Sequence, residues 1–218
     1  MTALDQAPVN ATLAAALIRS SDLVASPWKN GGGVTREIAA HFPKGTSFGA
    51  PPGAALDAFA WRVSVADVAA AGPFSRFEGV DRTLVLLSGA GMTLAAADGT
   101  RHVLDAPLAR ADFAGETAID ATLHDGPTRD FNLMTRRATT HGSVAAWRAG
   151  THRIARADTV LLFCANGTVQ VALDGATCTL EELDTLRLDG LQRALDVAVS
   201  GDGALLAVSL DATDELIA

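Results

Sequence analysis

The sequence predicts an all-β protein, a sandwich or barrel of short antiparallel strands. Three observations carry this prediction: apolar or alternating runs are short, most of them end at a turn dipeptide such as Asp-Gly or Asn-Gly, and helix-like periodicity is sparse. Regularly spaced turn signals between short strands are typical of β-sandwiches and β-barrels. A chain of 218 residues is long enough for one large unit of this kind or two small ones.

The first strands are predicted from alternation. Beyond the glycines at 31–33, an extended chain places Thr35 and Glu37 on the opposite face from their neighbours. Residues 43–53 hold three prolines and three glycines, which predicts a long surface loop. The strict alternation over 59–65 then places the large apolar side chains on one face and Arg62 with Ser64 on the other. The apolar face of that strand is expected to be core.

Glycine dipeptides predict the hairpins that follow. Asp98-Gly99 separates predicted strands over 92–97 and 101–104, and Asn166-Gly167 separates 159–164 from 168–173. Asp174-Gly175 leads into a strand over 178–183. The last predicted strands, again divided by glycine-containing turns, cover residues 185–188, 195–199 and 205–210.

A boundary between two β units is predicted where His124-Asp125-Gly126-Pro127 interrupts the strand series. We predict an N-terminal unit over 1–126 and a C-terminal unit over 127–218, allowing for strands exchanged between the halves. Just beyond the boundary, an extended segment places Asp130 and Asn132 on one face with apolar residues packed behind them. The alternative for these two residues is turn capping.

Composition excludes several classes of function. Lys and Arg number 17 against 25 Asp and Glu, a formal charge of -8, which makes nucleic acid and anionic membranes poor partners. No stretch approaches the ~20 apolar residues of a membrane helix, and the apolar run at 11–18 follows an aspartate rather than the positive charge of a secretory signal. Two cysteines provide neither a disulfide framework nor a thiolate metal cluster. A cytoplasmic location fits best.

Standard catalytic patterns are missing from the sequence. The five histidines show no metal-ligand spacing, no Gly-x-Ser-x-Gly elbow occurs, and Lys29 precedes the glycines instead of following them as in a phosphate-binding loop. We therefore expect no metal and no cofactor. For residues 31–33 the plain interpretation is a bulge or tight corner, with Lys29 solvated.

Arg62 is the residue on which a binding site would depend. It faces either bulk water, as an ordinary surface arginine, or the space between β walls. In the second case it needs a carboxylate, because removing the partner of a buried charge costs about 3–5 kcal/mol. Glu37 and Asp130 are the candidate partners.

The sequence resembles the HutD/Ves family over about residues 17–137, through motifs that occur in the family's order. These motifs are Trp28-Lys29-Asn30-Gly31-Gly32-Gly33-x-Thr35-Arg36-Glu37, Phe59-x-Trp61-Arg62-x-Ser64, Gly72-Pro73-Phe74-Ser75-x-Phe77, Gly79-x-Asp81-Arg82 and Asp130-Phe131-Asn132. Glu78 departs from the pattern, since a proline is more usual there. The remainder of the chain matches only in length and in its strand-rich character.

The resemblance implies a bicupin, two cupin-like antiparallel β-barrels packed together, that takes part in histidine utilisation. It implies a small carboxylate ligand, urocanate or N-formylglutamate, whose sensing would modulate the pathway. Metal-dependent cupins carry a His-x-His pair that this chain lacks. Carried over position by position, the family's polar residues are Lys29, Asn30, Thr35, Glu37, Arg62, Ser64, Asp130 and Asn132.

Our leading hypothesis is a non-enzymatic binding protein with Arg62 as the anion anchor, because a guanidinium matches the two oxygens of a carboxylate. Glu37 and Asp130 would orient Arg62 or accept from the ligand, while the amide and hydroxyl side chains add neutral hydrogen bonds and Lys29 adds positive potential. The alternative is a metal-free isomerase or hydrolase with Glu37 or Asp130 as acid or base. A third hypothesis is a protein-interaction module whose second barrel contacts a macromolecule or forms a homodimer.

Overall fold

The computed structural model describes residues 14–43 and 58–213, and within them the protein is almost entirely β. These residues form nineteen strands and one 3-10 turn, Ser20–Asp22, and hold no α-helix. Consequently they contain no helix that could cross a membrane. Most of the predicted loop at 43–53 lies outside the described residues. All strand pairs are antiparallel, as the turn signals predicted.

The first strand, β1 (Ala14–Ile18), belongs with the C-terminal part of the chain. The next ten strands form the first unit and are β2 (Ala25–Pro27), β3 (Gly33–His41), β4 (Trp61–Val68), β5 (Gly72–Pro73), β6 (Val80–Ser88), β7 (Met92–Ala96), β8 (Arg101–Leu104), β9 (Arg110–Ala114), β10 (Ile119–Leu123) and β11 (Thr128–Arg136). They build a six-stranded sheet in the order β2-β3-β4-β11-β6-β9 and a four-stranded sheet in the order β5-β10-β7-β8.

The second unit repeats this plan with the remaining strands. These are β12 (Thr140–Trp147), β13 (Gly150–Ile154), β14 (Ala157–Asn166), β15 (Val169–Leu173), β16 (Ala176–Leu180), β17 (Thr185–Leu191), β18 (Leu195–Gly201) and β19 (Ala204–Ala212). The larger sheet has the order β1-β17-β14-β19-β12 and the smaller one β13-β18-β15-β16. Each unit is therefore an open pair of facing sheets and not a closed cylinder.

The pairing of strands within sheets indicates which strands belong to each of the two units. β11 pairs with β4 and β6 of the first unit, whereas β1 pairs with β17 of the second. The division into 1–126 and 127–218 stays a prediction. From sheet membership we propose that the two units meet between β11 and β12, with β1 contributed to the second unit.

The turn dipeptides were only partly reliable as hairpin signals. Asp98-Gly99 joins the paired strands β7 and β8, and Asp174-Gly175 joins the paired strands β15 and β16, as predicted. The hairpin predicted at Asn166-Gly167 is wrong, because β14 pairs with β17 and β19 while β15 pairs with β16 and β18. Gly167 has the positive φ of 65° that the dipeptide implies. A tight turn fixes the backbone locally but does not determine which strands pair.

The molecule has three large apolar layers and a small fourth cluster of Phe59, Val80 and Met134. One fills each unit between its two sheets, and the third lies between the two large sheets, where Phe131 and Phe163 are in ring contact with centroids 5.0 Å apart. On β11, Phe131 and Leu133 belong to that third layer. Because side chains alternate along a strand, Asp130 and Asn132 face the interior of the first unit. The same alternation turns Arg62 and Ser64 of β4 to that interior.

Candidate functional site

Polar side chains gather on the inner face of the first unit's large sheet. The strand register aligns Glu37 with Ser64 and Ser64 with Asn132, which makes one row across β3, β4 and β11. In a neighbouring row, Met134 is aligned with Arg62 on one side and with Arg82 on the other. These polar residues are far apart in the chain and come together only because β11 inserts between β4 and β6.

Arg62 lies beside a carboxylate and not in bulk water. Its Nε donates a hydrogen bond to Oε2 of Glu37 at 2.7 Å, and its side chain is 14% exposed against 47% for that of Glu37. The alternative of a solvated surface arginine is therefore wrong. Of the two predicted partners Glu37 makes the ion pair, and none between Arg62 and Asp130 occurs among the described residues. The pair lies partly in water, so it orients Arg62 more than it stabilises the fold.

Asp130 is buried, and only one of its two carboxyl oxygens has a hydrogen-bond partner among the described residues. It is 0% exposed; its Oδ2 accepts a hydrogen bond from the Thr128 hydroxyl at 3.1 Å, and its Oδ1 has no partner in the described chain. Burial raises the pKa of Asp130 to about 7, and the negative charge of Asp67 adds to the effect. Because Asp130 lies within β11 and not in a turn, the capping alternative is wrong.

Asn132 and Ser64 continue the polar row. Both are buried, and Oδ1 of Asn132 finds no hydrogen-bond partner in the part of the chain that the structure describes. Buried polar atoms are nearly always hydrogen-bonded, so two orphaned oxygens on one strand face call for an explanation. A polar ligand seated on this face would supply the missing donors.

Two of the predicted site residues lie apart from this cluster, whereas Thr35 is aligned with Ala66, which is itself aligned with Asp130 on the same sheet face. Thr35 accepts a hydrogen bond from Nε1 of Trp28 at 2.8 Å. Lys29 and Asn30 lie in the exposed turn before β3, where Oδ1 of Asn30 accepts from the backbone N–H of Gly32 at 3.0 Å. At Gly33 a Cβ would lie 2.5 Å from the carbonyl oxygen of Asp67, so close strand packing requires glycine there. The tight-corner interpretation of the glycines is therefore confirmed.

Arg82 is the residue that the sequence analysis did not assign to the site. It is 7% exposed, and its guanidinium lies over the rings of Phe74, Phe77 and Phe113 at 5.3, 5.8 and 5.1 Å from their centroids. Burial and the positive charge of Arg62 lower the pKa of Arg82 to about 10, so it is charged at neutral pH. The signal that could have found it is the alternation in β6, which puts Arg82 on the same face as the core residues Leu84 and Leu86.

This cluster combines basic, acidic and neutral polar side chains on one sheet face. Within residues 14–43 and 58–213, no group of three or more His, Cys, Asp or Glu is placed to hold a metal ion. What the cluster offers is guanidinium donors, a carboxyl group that titrates near neutrality, and amide and hydroxyl groups. These are groups that bind a carboxylate and a neighbouring polar atom.

A cleft of about 340 Å³ touches this region only at Arg82. It lies against β6 and β9, where Arg110 and Asp112 of its lining pair with each other and Asp81 pairs with Arg137 outside the lining. Side chains that already neutralise each other offer a ligand few free charges or hydrogen-bonding groups. We therefore place the candidate site on the inner sheet face, where one buried oxygen each of Asp130 and Asn132 has no partner among the described residues.

Asp130 makes stability depend on pH in a direction unusual for a carboxyl group. Since its pKa is raised to about 7, the folded state holds the proton to higher pH than the unfolded chain, and stability falls as pH rises from about 4 to about 7. Asp130→Asn should remove this loss, with a relative gain at pH 8 over pH 4 of roughly 2–4 kcal/mol. Urea unfolding at both pH values checks it. The exposed control Asp120→Asn should behave as wild type, and a variant parallel to wild type at all pH values would contradict the shift.

The sequence profile of the HutD family matches residues 20–207 of this chain. A relative from Pseudomonas putida, described as an uncharacterized 21.2 kDa protein in the hutC 3′ region, is 36% identical over 192 residues, or 87% of this chain and 95% of the relative. Protein Ves of Escherichia fergusonii is 39% identical over 110 residues, or 50% of this chain and 51% of Ves. The resemblance found in the sequence motifs is thus confirmed and extends beyond residue 137.

Solved structures agree with these relatives. HutD from Pseudomonas fluorescens SBW25, in a formate condition, superposes with a TM-score of 0.77 at 33% identity and covers 92% of this chain and 100% of its own. Oxalate decarboxylase of Lactobacillus farciminis, in a formate complex, superposes with a TM-score of 0.55 at 9% identity, covering 89% of this chain and 85% of its own. The second likeness concerns the fold alone, and it confirms the predicted cupin-like architecture.

Proposed function

This chain belongs to the HutD family, and from that premise we propose that it binds a small carboxylate of histidine catabolism, urocanate or N-formylglutamate, and thereby modulates histidine utilisation. The observation that carries the proposal is the Arg62 guanidinium, oriented by Glu37, on a sheet face that also holds two buried oxygens with no partner in residues 14–43 and 58–213. The names of the P. putida and P. fluorescens relatives support the connection to histidine utilisation.

We propose a separate task in binding for each side chain. Glu37 occupies Nε of Arg62, and no other hydrogen bond of this guanidinium falls among the described residues, so its terminal nitrogens are available for the two oxygens of a carboxylate. Below a pH of about 7 the Asp130 carboxyl is protonated and donates a hydrogen bond; above it, the carboxylate only accepts. Asn132 and Ser64 accept or donate as the ligand requires. Thr35 holds the Trp28 indole in place by its hydrogen bond, and Lys29 and Asn30 lie in the exposed turn before β3.

Calorimetric titration of the wild-type protein tests the proposal. Urocanate, N-formylglutamate and histidine are titrated separately, and one of the two carboxylate intermediates should bind with saturation. Histidine serves as the comparison, because its ammonium group next to the carboxylate would be repelled by Arg62 and Arg82. Absence of binding by all three compounds overturns the proposal.

Asp130 also favours a second candidate function, a metal-free isomerase or hydrolase. A general acid or base works best with a pKa near the operating pH, and the pKa of Asp130 is raised to about 7 in a buried position. Long incubation of each carboxylate with the protein, followed by NMR, separates the two functions. We expect the ligand spectrum to stay unchanged; conversion that disappears in Asp130→Asn would establish the enzyme. A cytoplasmic location and a homodimer stay predictions.

A further inference from the structure

The proposed carboxylate site leaves one buried cation without a counter-ion. Among the described residues Arg82 makes no ion pair; its single hydrogen bond runs from Nη1 to the backbone oxygen of Ser75 at 3.3 Å, and its Nε has no partner. The neighbouring Asp81 points to the other face and pairs with Arg137. A buried arginine is normally paired with an acid. Three aromatic rings offset part of the cost but leave the Nε–H without an acceptor among the described residues.

The register places Arg82 opposite Arg62 across a single strand. Both residues are aligned with Met134 of β11, one from β4 and one from β6. Since neighbouring strands lie about 4.8 Å apart, the two arginines start about 10 Å apart on one sheet face. Their charges interact strongly enough that Arg62 lowers the pKa of Arg82. A small molecule seated between the two arginines on this face would feel both charges.

The charges on this face are not balanced by the protein itself. Within the described part of the chain, Glu37 pairs with Arg62 through Nε alone, Arg82 has no acidic partner, and Oδ1 of the adjacent Asn132 has no hydrogen-bond partner. A single carboxylate would balance the remaining charge but could accept hydrogen bonds from the terminal nitrogens of only one guanidinium, whereas a dicarboxylate could accept from both. We propose that Arg82 is a second anion anchor and that the ligand is an acyclic dicarboxylate, one carboxylate at each arginine. This inference rests on the proposed function and narrows its ligand to the class of N-formylglutamate rather than that of urocanate.

The competing explanation is that Arg82 has only a structural role and is held by its three aromatic rings. Comparing ligands that differ in charge distinguishes a structural arginine from a second anchor. N-formylglutamine is the matched probe, because it replaces the second carboxylate of N-formylglutamate by a neutral amide of the same shape. A structural arginine would leave the two compounds with equal affinity. A second anchor should make the dicarboxylate bind about tenfold tighter or more, as expected for a hydrogen bond between charged groups.

Calorimetry with variants completes the experiment. In Arg82→Met the preference for N-formylglutamate should vanish, while N-formylglutamine keeps its wild-type affinity within about threefold. The control Arg76→Met, an exposed arginine near the same turn, should retain the preference. Arg82→Lys keeps the charge without the planar fork and should retain part of the preference, which covers the case in which the methionine variant does not fold.

The outcomes separate the two proposals. Equal binding of both compounds to the wild type, or an equal loss of both in Arg82→Met, overturns the second anchor and leaves the carboxylate site standing. No binding of any carboxylate overturns the proposed function and this inference together. The inference is supported if the preference for the dicarboxylate disappears in Arg82→Met and persists in Arg76→Met.

Discussion

Arg62→Ala is expected to abolish carboxylate binding in calorimetric titration. The substitution removes the guanidinium that we propose as the main anchor and leaves Glu37 on the same face to repel an anion. Truncating one partner of a hydrogen-bonded, partly buried charge pair costs about 2–5 kcal/mol, which is a loss of roughly 25-fold or more in Kd. The fold should survive, because the Arg62–Glu37 pair is partly exposed and contributes little to stability.

Arg36→Ala is the matched control for this experiment. Arg36 lies on β3 beside Glu37 but on the opposite face, where it pairs with Asp67. Asp67 keeps a second partner in Arg129 at 2.6 Å, so no carboxylate loses its only partner. The control removes an arginine from the same sheet and should bind the ligand as wild type does. Equal affinity in Arg62→Ala and wild type would show that the anchor lies elsewhere.

Phe131→Ala is expected to destabilise the whole molecule and not one unit alone. Phe131 is 0% exposed in the layer between the two large sheets, in ring contact with Phe163 of the second unit. Truncating a buried phenylalanine to alanine costs about 3–5 kcal/mol, through lost burial and the cavity left behind. Urea unfolding should show a lower midpoint in one transition, because the lost contact joins both units.

An exposed apolar residue provides the comparison for this stability measurement. Val103 on β8 is 56% exposed, so Val103→Ala should change the free energy of unfolding by less than about 0.5 kcal/mol. If Phe131→Ala unfolded in two separate transitions, the shared layer would not couple the units. Since Phe131 lies between Asp130 and Asn132, titration of the variant would also show whether the rigidity of β11 matters for binding.

Local patterns in the amino-acid sequence were enough for the fold class and for the faces of the site strands. The alternation in β4 assigned Arg62 and Ser64 to one face, and that in β11 assigned Asp130 and Asn132 to one face, because the period of two is a property of any extended chain. Turn dipeptides located two of the three predicted hairpins. The sequence motifs alone indicate the family.

The strand order and the composition of the site depend on long-range strand pairing, because alternation within one strand does not specify its neighbours in the sheet. β11 lies between β4 and β6, and for that reason Arg82 joins the site and shares it with Arg62. The Glu37–Arg62 pair arises from the alignment of β3 with β4. Asp130, by contrast, makes no ion pair among the described residues, and its burial raises its pKa. Asn166-Gly167 turns the chain between two sheets for the same reason. Register and burial are properties of the packed molecule, and they determine which charges meet and which remain without a partner.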